Sequence, residues 1–261
     1  MRLVTWNVNS LNVRLPRVLE FLEEHAPDVL CLQETKCDAA AFPHEALAQA
    51  GYRAADHSGG RWAGVAVLAR EGLELEGPSR GLPGEPAQDE ARWVEATIGS
   101  NPPVRVVSVY VPNGREPDSE WYAGKLAFFA AAAERVRELA AGTLLVVAGD
   151  VNVAPTDLDV YNPAAFVGST HVTAPERAAL QTLCDAGELV DPFRMLHPDE
   201  PGYTWWDYRA GHFHKGLGLR IDLALLSPAL AARTTRCGIE RPYRKGTKPS
   251  DHAPLVVEWG A

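Results

Sequence analysis

The chain has 261 residues, of which 46% are hydrophobic and 23% are charged. These fractions are typical of a globular protein and exclude an intrinsically disordered chain. The first residues, MRLVTWNVNS, lack the long apolar stretch of a signal peptide, and no run in the sequence is apolar and long enough for a transmembrane span. We therefore expect one cytoplasmic catalytic or binding domain over residues 1–261, with no membrane partner.

Strand-like and helix-like patterns alternate along the chain. Runs rich in Val, Leu and Ile, bounded by Gly, Pro, Asn or Asp, predict strands at residues 2–6, 29–32, 63–69, 92–98, 104–111, 143–148, 220–226 and 254–259. Apolar spacing and capping residues predict helices at residues 15–22, 44–49, 118–141 and 173–187. Some strands follow one another directly and others are separated by helices, so we expect mixed sheets. So many strands with so few helices predict an α/β fold of two stacked sheets covered by helices.

The cysteines do not have the spacing of a metal site or a disulfide framework. None belongs to a Cys-x-x-Cys pair, and Cys31 lies inside an apolar run. We predict reduced, mostly buried thiols at Cys31, Cys37, Cys184 and Cys237.

Charge is unevenly distributed. The net charge of −9 argues at first against a nucleic-acid partner. Residues 209–248, however, contain nine Lys or Arg and two acids. A basic segment on an acidic chain fits a surface that follows a phosphate backbone, although scattered surface charge explains it equally well.

Polar residues stand at the ends of several apolar runs. Asp150 and Asn152 directly follow TLLVVAG, and residues two apart on an extended chain point the same way. The same arrangement recurs at Asn7, Asn9, Glu34, Tyr110, Asp222, Asp251 and His252. Open α/β sheets bind ligands at the carboxyl ends of their strands, so these residues predict one site.

The residue types predict metal-assisted hydrolysis of a phosphoester. The oxygens of Glu34, Asn7 and Asn9, with Asp251 as a further acid, favour Mg²⁺ or Mn²⁺ over Zn²⁺. Taken alone, Glu34 is more simply explained as a helix cap or a surface acid.

A base and a phosphate contact complete this chemistry. A carboxylate such as Asp222 can orient and charge His252, and Asp150 is then the natural base for a water that Asn152 orients. Tyr110 and Asn113 can donate hydrogen bonds to phosphate oxygens. Such a site would act by positioning and charge neutralisation.

Two adjacent tryptophans occur in the segment YTWWDY, residues 203–208. On an extended segment they point to opposite faces. One would then pack in the core while the other stacks on a sugar or base or walls a small apolar pocket, although packing of both in the core is an equal alternative.

In chain order, these motifs resemble the exonuclease III family of abasic-site endonucleases, within the endonuclease/exonuclease/phosphatase superfamily. The resemblance rests on WNVN at 6–9, LQETK at 32–36, YVPN at 110–113, GDVNVAPTDLD at 149–159, YTWWDY at 203–208, LRIDL at 219–223 and KPSDHAP at 248–254. It implies a four-layer α/β sandwich of two mixed sheets flanked by helices. It also implies a Mg²⁺-dependent DNA-repair hydrolase for which Mn²⁺ substitutes.

The resemblance implies a role for each site residue. Glu34 is similar to the principal metal ligand, with Asn7 and Asn9 around it and Asp251 as a second-site or network acid. Asp150 resembles the residue that activates water, and Asn152 its neighbour on the phosphate. Asp222 resembles the partner of His252, which contacts the scissile phosphate, and Tyr110 resembles a phosphate or leaving-group contact.

The implied substrate is double-stranded DNA, cut 5′ to abasic sites or trimmed from its 3′ ends. The residues implied in substrate binding are Asn113, Trp205, Leu219, Arg220, Ile221, Lys245 and Lys248. Trp205, Leu219 and Ile221 would wall a pocket for an abasic sugar, whose extrusion costs least because no base remains. Leu219 stands where some relatives carry tryptophan, and leucine there resembles the bacterial branch, which has both activities.

Two other functions remain open. The catalytic core would also serve a phosphatase for small molecules or lipid head groups, although the aromatic segment at 203–208 favours DNA. An inactive nucleic-acid-binding module would lack a metal ligand or base, and this chain has both. We expect a monomer, because no segment has an exposed apolar seam.

Overall fold

The computed structural model describes residues 1–87, 89–99 and 101–260, which form eleven strands and seven α-helices. The strands are β1 Arg2–Asn7, β2 Val29–Gln33, β3 Tyr52–His57, β4 Val65–Arg70, β5 Glu74–Arg80, β6 Trp93–Gly99, β7 Val104–Tyr110, β8 Leu144–Asp150, β9 Asp222–Leu226, β10 Thr234–Ile239 and β11 Leu255–Trp259. The helices are α1 Leu11–His25, α2 His44–Gln49, α3 Glu120–Ala140, α4 Ala174–Ala186, α5 Pro192–Leu196, α6 His212–Lys215 and α7 Pro228–Ala231.

The strands form two mixed sheets. The six-stranded sheet has the order β10-β11-β1-β2-β4-β3, and the five-stranded sheet has the order β5-β6-β7-β8-β9. In each sheet one neighbouring pair is parallel, β1 with β2 and β7 with β8, and its strands are joined through α1 or α3. The other pairings are antiparallel, so the prediction of mixed sheets is confirmed.

Three apolar clusters hold these layers together. The first lies between the sheets and joins Leu3 and Val67 of one to Val106 and Ala148 of the other. The second packs α3 and α4 on the outer face of the five-stranded sheet, and the third packs α1 and α2 on the outer face of the six-stranded sheet. The result is the helix–sheet–sheet–helix sandwich that the sequence predicted.

All eight predicted strands are present, and the three additional strands lie at sheet edges. These are β3 and β10 in the six-stranded sheet and β5 in the five-stranded sheet. Edge strands bury only part of their surface, so they lack the continuous apolar run that marks a central strand. The short helices α5, α6 and α7 were likewise not predicted.

The predicted helices are confirmed with shifts of a few residues at their ends. In α4, the Thr173 side chain accepts from the Glu176 backbone and Glu176 accepts from the Thr173 backbone, as expected of a capping box. The four cysteines are free thiols, three buried and Cys184 partly so, as predicted. Among the described residues, no helix is long and apolar enough to cross a membrane.

A polar bridge ties the two sheets together next to the predicted site. Gln33 donates to Ser108 at 3.0 Å, and Ser108 donates to the Leu32 carbonyl at 3.0 Å. All of these groups are buried. The bridge therefore fixes the end of β2 relative to β7, and with it the residues that follow each strand.

Candidate active site

The strand ends bring the predicted polar residues to one edge of the sandwich. Asn7 ends β1, Tyr110 and Asp150 end the parallel pair β7 and β8, and Asp222 pairs with Asp150 in register. A side chain at Gly149 would place its Cβ 1.9 Å from the Val109 carbonyl oxygen. Glycine is therefore required for β7 and β8 to approach closely just before Asp150.

Several site residues have positive φ, and Glu34 and Asn152 are the two that follow strands β2 and β8. Glu34 and Asn152 both have φ of +52°, a region that residues other than glycine enter at a cost of about 1–3 kcal/mol. Local hydrogen bonds hold them there: Ser10 N–H donates to the Glu34 carbonyl at 2.7 Å, and the Asn152 carboxamide donates to the Val111 carbonyl at 2.9 Å. Such strain concentrates at functional sites.

Three ionisable groups form the centre of the site. One ligand atom from each of Glu34, Asp150 and His252 lies within 4.8 Å of the other two. His252 Nε2 is 3.8 Å from Asp150 Oδ2, and His252 Nδ1 is 2.8 Å from Asp222 Oδ2. The Asn7 amide donates to Glu34 at 2.7 Å and to Asp150 at 2.9 Å, so it links the two acids.

Burial and mutual charge shift the protonation of this centre. Burial raises the pKa of Asp150 to about 7, and the neighbouring acids reinforce this effect while His252 opposes it. Burial alone would lower the pKa of His252, but Asp222 and then Asp150 raise it to about 10. At neutral pH the imidazole is therefore cationic, whereas Asp150 can both release and accept a proton.

The side-chain amides of Asn7 and Asn9 donate hydrogen bonds to carboxylates of the site. The nitrogen of Asn7 faces the two carboxylates, and its oxygen accepts from the Asn9 backbone at 3.0 Å. Asn9 donates to Asp251 at 3.0 Å and accepts from Lys36 Nζ at 2.7 Å. In this arrangement the amide nitrogens orient carboxylates. Each amide oxygen accepts one hydrogen bond and keeps a second lone pair, so metal ligation by Asn7 and Asn9 stays a prediction.

Asp251 belongs to a network rather than to the central cluster. It accepts from Asn9 and, at 3.1 Å, from the indole nitrogen of Trp205. Although burial would raise the pKa of Asp251, His252 and these hydrogen bonds lower it. Of the two roles predicted for Asp251, this placement favours the network acid.

Tyr110 and Asn113 lie along one side of the site. Burial, followed by the charges of Glu34 and Asp150, raises the pKa of Tyr110 well above its usual value, so its hydroxyl remains a donor. The Arg92 guanidinium lies 4.7 Å from the Tyr110 ring centroid. Asn113 is exposed and lies 3.4 Å from the Asn152 side-chain oxygen.

The predicted pocket residues form an apolar cluster beside His252. Leu219 and Ile221 are buried and pack with Trp205, which is partly exposed. Trp205 also forms isolated bridges with Leu219 and His252, whereas Trp206 is 1% exposed in a separate cluster. Trp205 thus lies at the site and Trp206 lies in the core, which is one of the two predicted alternatives.

Arg220 does not reach the cleft surface, and this placement disagrees with its predicted role in substrate binding. The side chain is fully buried, and its guanidinium lies 2.7 Å from Asp159 and 2.7 Å from Asp191. Neighbouring carboxylates therefore hold the cation inside the protein. Lys245 and Lys248, the other basic residues predicted to bind substrate, are exposed.

Comparison with known proteins identifies the family. Residues 4–252 match the model of the endonuclease/exonuclease/phosphatase family. The chain belongs to this family. An exodeoxyribonuclease III from Haemophilus influenzae is 32% identical over 269 residues, spanning 99% of this chain and all of that protein.

Solved structures of this family agree closely with the fold. A Neisseria 3′ phosphatase named NExo, bound to product DNA hairpin, is 40% identical, with a TM-score of 0.95 over the full length of both chains. An AP endonuclease from Archaeoglobus fulgidus is 35% identical, with a TM-score of 0.94 over the full length of both chains. The expectation of this family and its layered fold is therefore confirmed.

Two groups near the site of this family member were missed by sequence reasoning. Lys36 Nζ lies 2.5 Å from Glu34 Oε2, and its position two residues after Glu34 was the available signal. His171 lies 2.6 Å from the Asn152 carbonyl through Nδ1 and 3.5 Å from the Asn113 amide through Nε2. No local pattern marks His171, because it comes from a loop between β8 and α4.

The central cluster fits a hard divalent cation. Glu34 and Asp150 contribute carboxylate oxygens within 4.8 Å of each other, the donor type that Mg²⁺ and Mn²⁺ prefer. The nitrogen of His252 faces the same space, but this residue is committed to Asp222 and is cationic. The Glu34 carboxylate is thus the group that would hold the cation, with Asp150 beside it.

Proposed function

We propose that this protein is a Mg²⁺-dependent DNA-repair hydrolase of the exonuclease III type. It removes nucleotides or blocking groups from 3′ ends of double-stranded DNA and cleaves the backbone 5′ to abasic sites. The observation that carries this proposal is the buried cluster of Glu34, Asp150 and His252 at the strand ends. Relatives named exodeoxyribonuclease III, 3′ phosphatase and AP endonuclease support it.

Asp150 is the proposed general base. A pKa of about 7 allows it to take a proton from the attacking water at neutral pH. Its two oxygens are oriented by the Asn152 backbone N–H at 2.9 Å and the Asn7 amide at 2.9 Å. These bonds hold the carboxylate in one rotamer, so it needs no reorganisation when the proton moves.

His252 is proposed to stabilise negative charge on the phosphate. Asp222 holds its Nδ1 at 2.8 Å and keeps the ring cationic. Nε2 therefore presents a proton toward the space beside Asp150. A fixed donor in a buried site stabilises developing charge more strongly than the same donor in water.

Mg²⁺, or Mn²⁺ in its place, would be held by the Glu34 carboxylate, next to Asp150. When bound, such a cation supplies Lewis-acid stabilisation of the phosphate oxygens. Asn7 bridges the two carboxylates and would keep them oriented for binding.

The two activities share one site because both break a phosphoester bond. The apolar wall of Trp205, Leu219 and Ile221 would face the sugar next to the scissile phosphate in either substrate.

The test uses end-labelled duplexes that carry an abasic-site analogue, a recessed 3′ hydroxyl or a 3′ phosphate. Each duplex is incubated with Mg²⁺ or with EDTA. We expect metal-dependent incision on the 5′ side of the lesion and shortening or dephosphorylation of the 3′ end. The relative rates then measure how the two activities are divided.

The alternatives predict different products. A small-molecule phosphatase would leave every DNA intact while releasing phosphate from a soluble phosphoester. An inactive binding module would retain the labelled duplexes and cleave none of them. Either result would overturn the proposed function.

A further inference from the structure

Two exposed tryptophans flank a groove beside Tyr110. Trp62 is 73% exposed and Trp121 is 55% exposed. The groove has a volume of about 560 Å³, and both indoles line it together with Tyr110 and Asn113. It is therefore continuous with the proposed phosphate-binding residues.

Each tryptophan lies against an arginine. The Arg115 guanidinium carbon is 3.8 Å from the Trp121 ring centroid, and that of Arg61 is 5.7 Å from the Trp62 ring centroid. In the described part of the chain, neither Arg61 nor Arg115 has a carboxylate oxygen within 4.0 Å. We call Trp62, Trp121, Arg61 and Arg115 the aromatic shelf.

The charged residues that line the groove are Arg92, Arg115, Glu90 and Glu120, and Glu90 is paired with Arg92. Arg61 beside Trp62 adds one further cation. Flat indole faces with adjacent guanidiniums match the faces of nucleobases and the phosphates between them.

The form of nucleic acid follows from the geometry of stacking. Inside a duplex, base faces are covered by their neighbours, so an indole can stack only on an unpaired base. We propose that the aromatic shelf binds unpaired DNA nucleotides that extend from a duplex end held at the catalytic cluster. The proposal rests on the proposed function for its substrate, and it specifies single-stranded extensions as part of that substrate.

Direct binding tests the shelf without cleavage. A fluorescent thymine oligonucleotide is titrated with the protein in EDTA, and binding is followed by anisotropy. We expect Trp121→Ala to weaken binding by about tenfold, the usual effect of losing one base–aromatic stack, whereas Trp121→Phe retains most of it. The matched control is Met195→Ala, which removes a 43% exposed side chain on α5, away from the groove.

Cleavage provides the second readout. Rates are compared on a blunt duplex and on the same duplex with a short unpaired thymine extension at the 5′ end of the complementary strand. We expect Trp62→Ala and Trp121→Ala to slow processing of the extended duplex more than that of the blunt one, and Met195→Ala to leave the ratio unchanged. Melting temperatures would show whether the variants remain folded.

The outcomes separate this proposal from the proposed function. If no duplex is cleaved but thymine binding depends on Trp121, the shelf stands and the proposed activity fails. If duplexes are cleaved normally while Trp121→Ala changes neither thymine affinity nor the rate ratio, the shelf is wrong and the activity stands. Equal losses on both duplexes, with unchanged thymine affinity, would also overturn the shelf.

Discussion

Asp150 is 1% exposed and lies among three other ionisable groups. Burying a charge is costly unless a partner compensates it, and His252 at 3.8 Å is that partner. Asp222 in turn compensates His252 from its other nitrogen. Asp150, His252 and Asp222 thus stabilise one another's charges. The pKa of Asp150, about 7, allows it to exchange a proton at neutral pH.

Also at the residue scale, the lowered pKa of His171 predicts that the folded protein loses stability in acid. Burial and then the Lys125 cation lower the pKa of His171 from 6.5 to about 4. Between these pH values the imidazole is protonated in the unfolded state but stays neutral in the folded state. The contribution of His171 to stability is therefore full above pH 6.5 and is lost as pH falls toward 4. We expect the free energy of unfolding, measured by urea titration, to fall less steeply across this range in His171→Gln than in the wild type.

A matched control isolates this effect. His214 is exposed, and His214→Gln is the matched control for replacing one histidine by glutamine. Glu176, whose lowered pKa of about 2 also makes acid destabilising, contributes mainly below this window in every variant. Parallel slopes for His171→Gln and the wild type would show that His171 is not held neutral.

At the scale of elements, one buried ion pair connects two helices to two catalytic loops. Lys125 Nζ, on α3, lies 2.5 Å from Glu176 Oε1 in the first turn of α4, and neither side chain is exposed. The same ammonium donates to the Asn152 carbonyl at 2.7 Å and the Asn113 carbonyl at 3.2 Å. It therefore positions the segments that follow β7 and β8.

Lys125→Met should expose this dual role. Leaving Glu176 buried without its cationic partner should cost about 3–5 kcal/mol of unfolding free energy. The second variant, Lys125→Met with Glu176→Gln, removes the unpaired charge and should recover part of that stability. Its kcat should nevertheless remain low, because the Asn152 carbonyl still lacks its donor. If kcat recovered together with stability, the Lys125–Glu176 ion pair would have a structural role only.

Sequence patterns predicted the elements whose signal is local. The central strands, the capping box of α4 and the polar strand ends of Glu34 and Asp150 all depend on neighbours in the chain. The edge strands β3, β5 and β10 were missed because exposure removes their apolar pattern. His171 and the buried ion pair of Lys125 depend on contacts across 19 to 51 residues, which no local pattern encodes.

At the scale of the whole molecule, the basic segment is less available to DNA than its composition suggested. Arg220 and Arg244 are buried, and Arg236 pairs with Glu240 and Glu258. Exposed Lys245 and Lys248 remain close to the loop that carries His252. Fewer phosphate contacts are therefore expected than nine basic residues would allow.

Salt dependence measures those contacts. Each phosphate neutralised adds about 0.9 to the slope of log K against log salt, so replacing Lys245 and Lys248 by alanine should reduce the slope by about 2. Duplex binding is measured in EDTA at several salt concentrations. Arg137→Ala, which removes an exposed cation on α3, is the control and should leave the slope unchanged. An unaltered slope in the lysine variant would exclude these contacts.

The central claim is that Asp150 activates water for phosphoester hydrolysis in DNA. The most direct measurement is single-turnover cleavage of a recessed duplex by Asp150→Asn in Mg²⁺, with duplex affinity measured alongside. The carboxamide keeps the shape of the side chain but cannot accept the proton, so we predict a rate lower by about 10²–10⁴ with DNA affinity largely retained. A variant that keeps most of the wild-type rate would contradict the account.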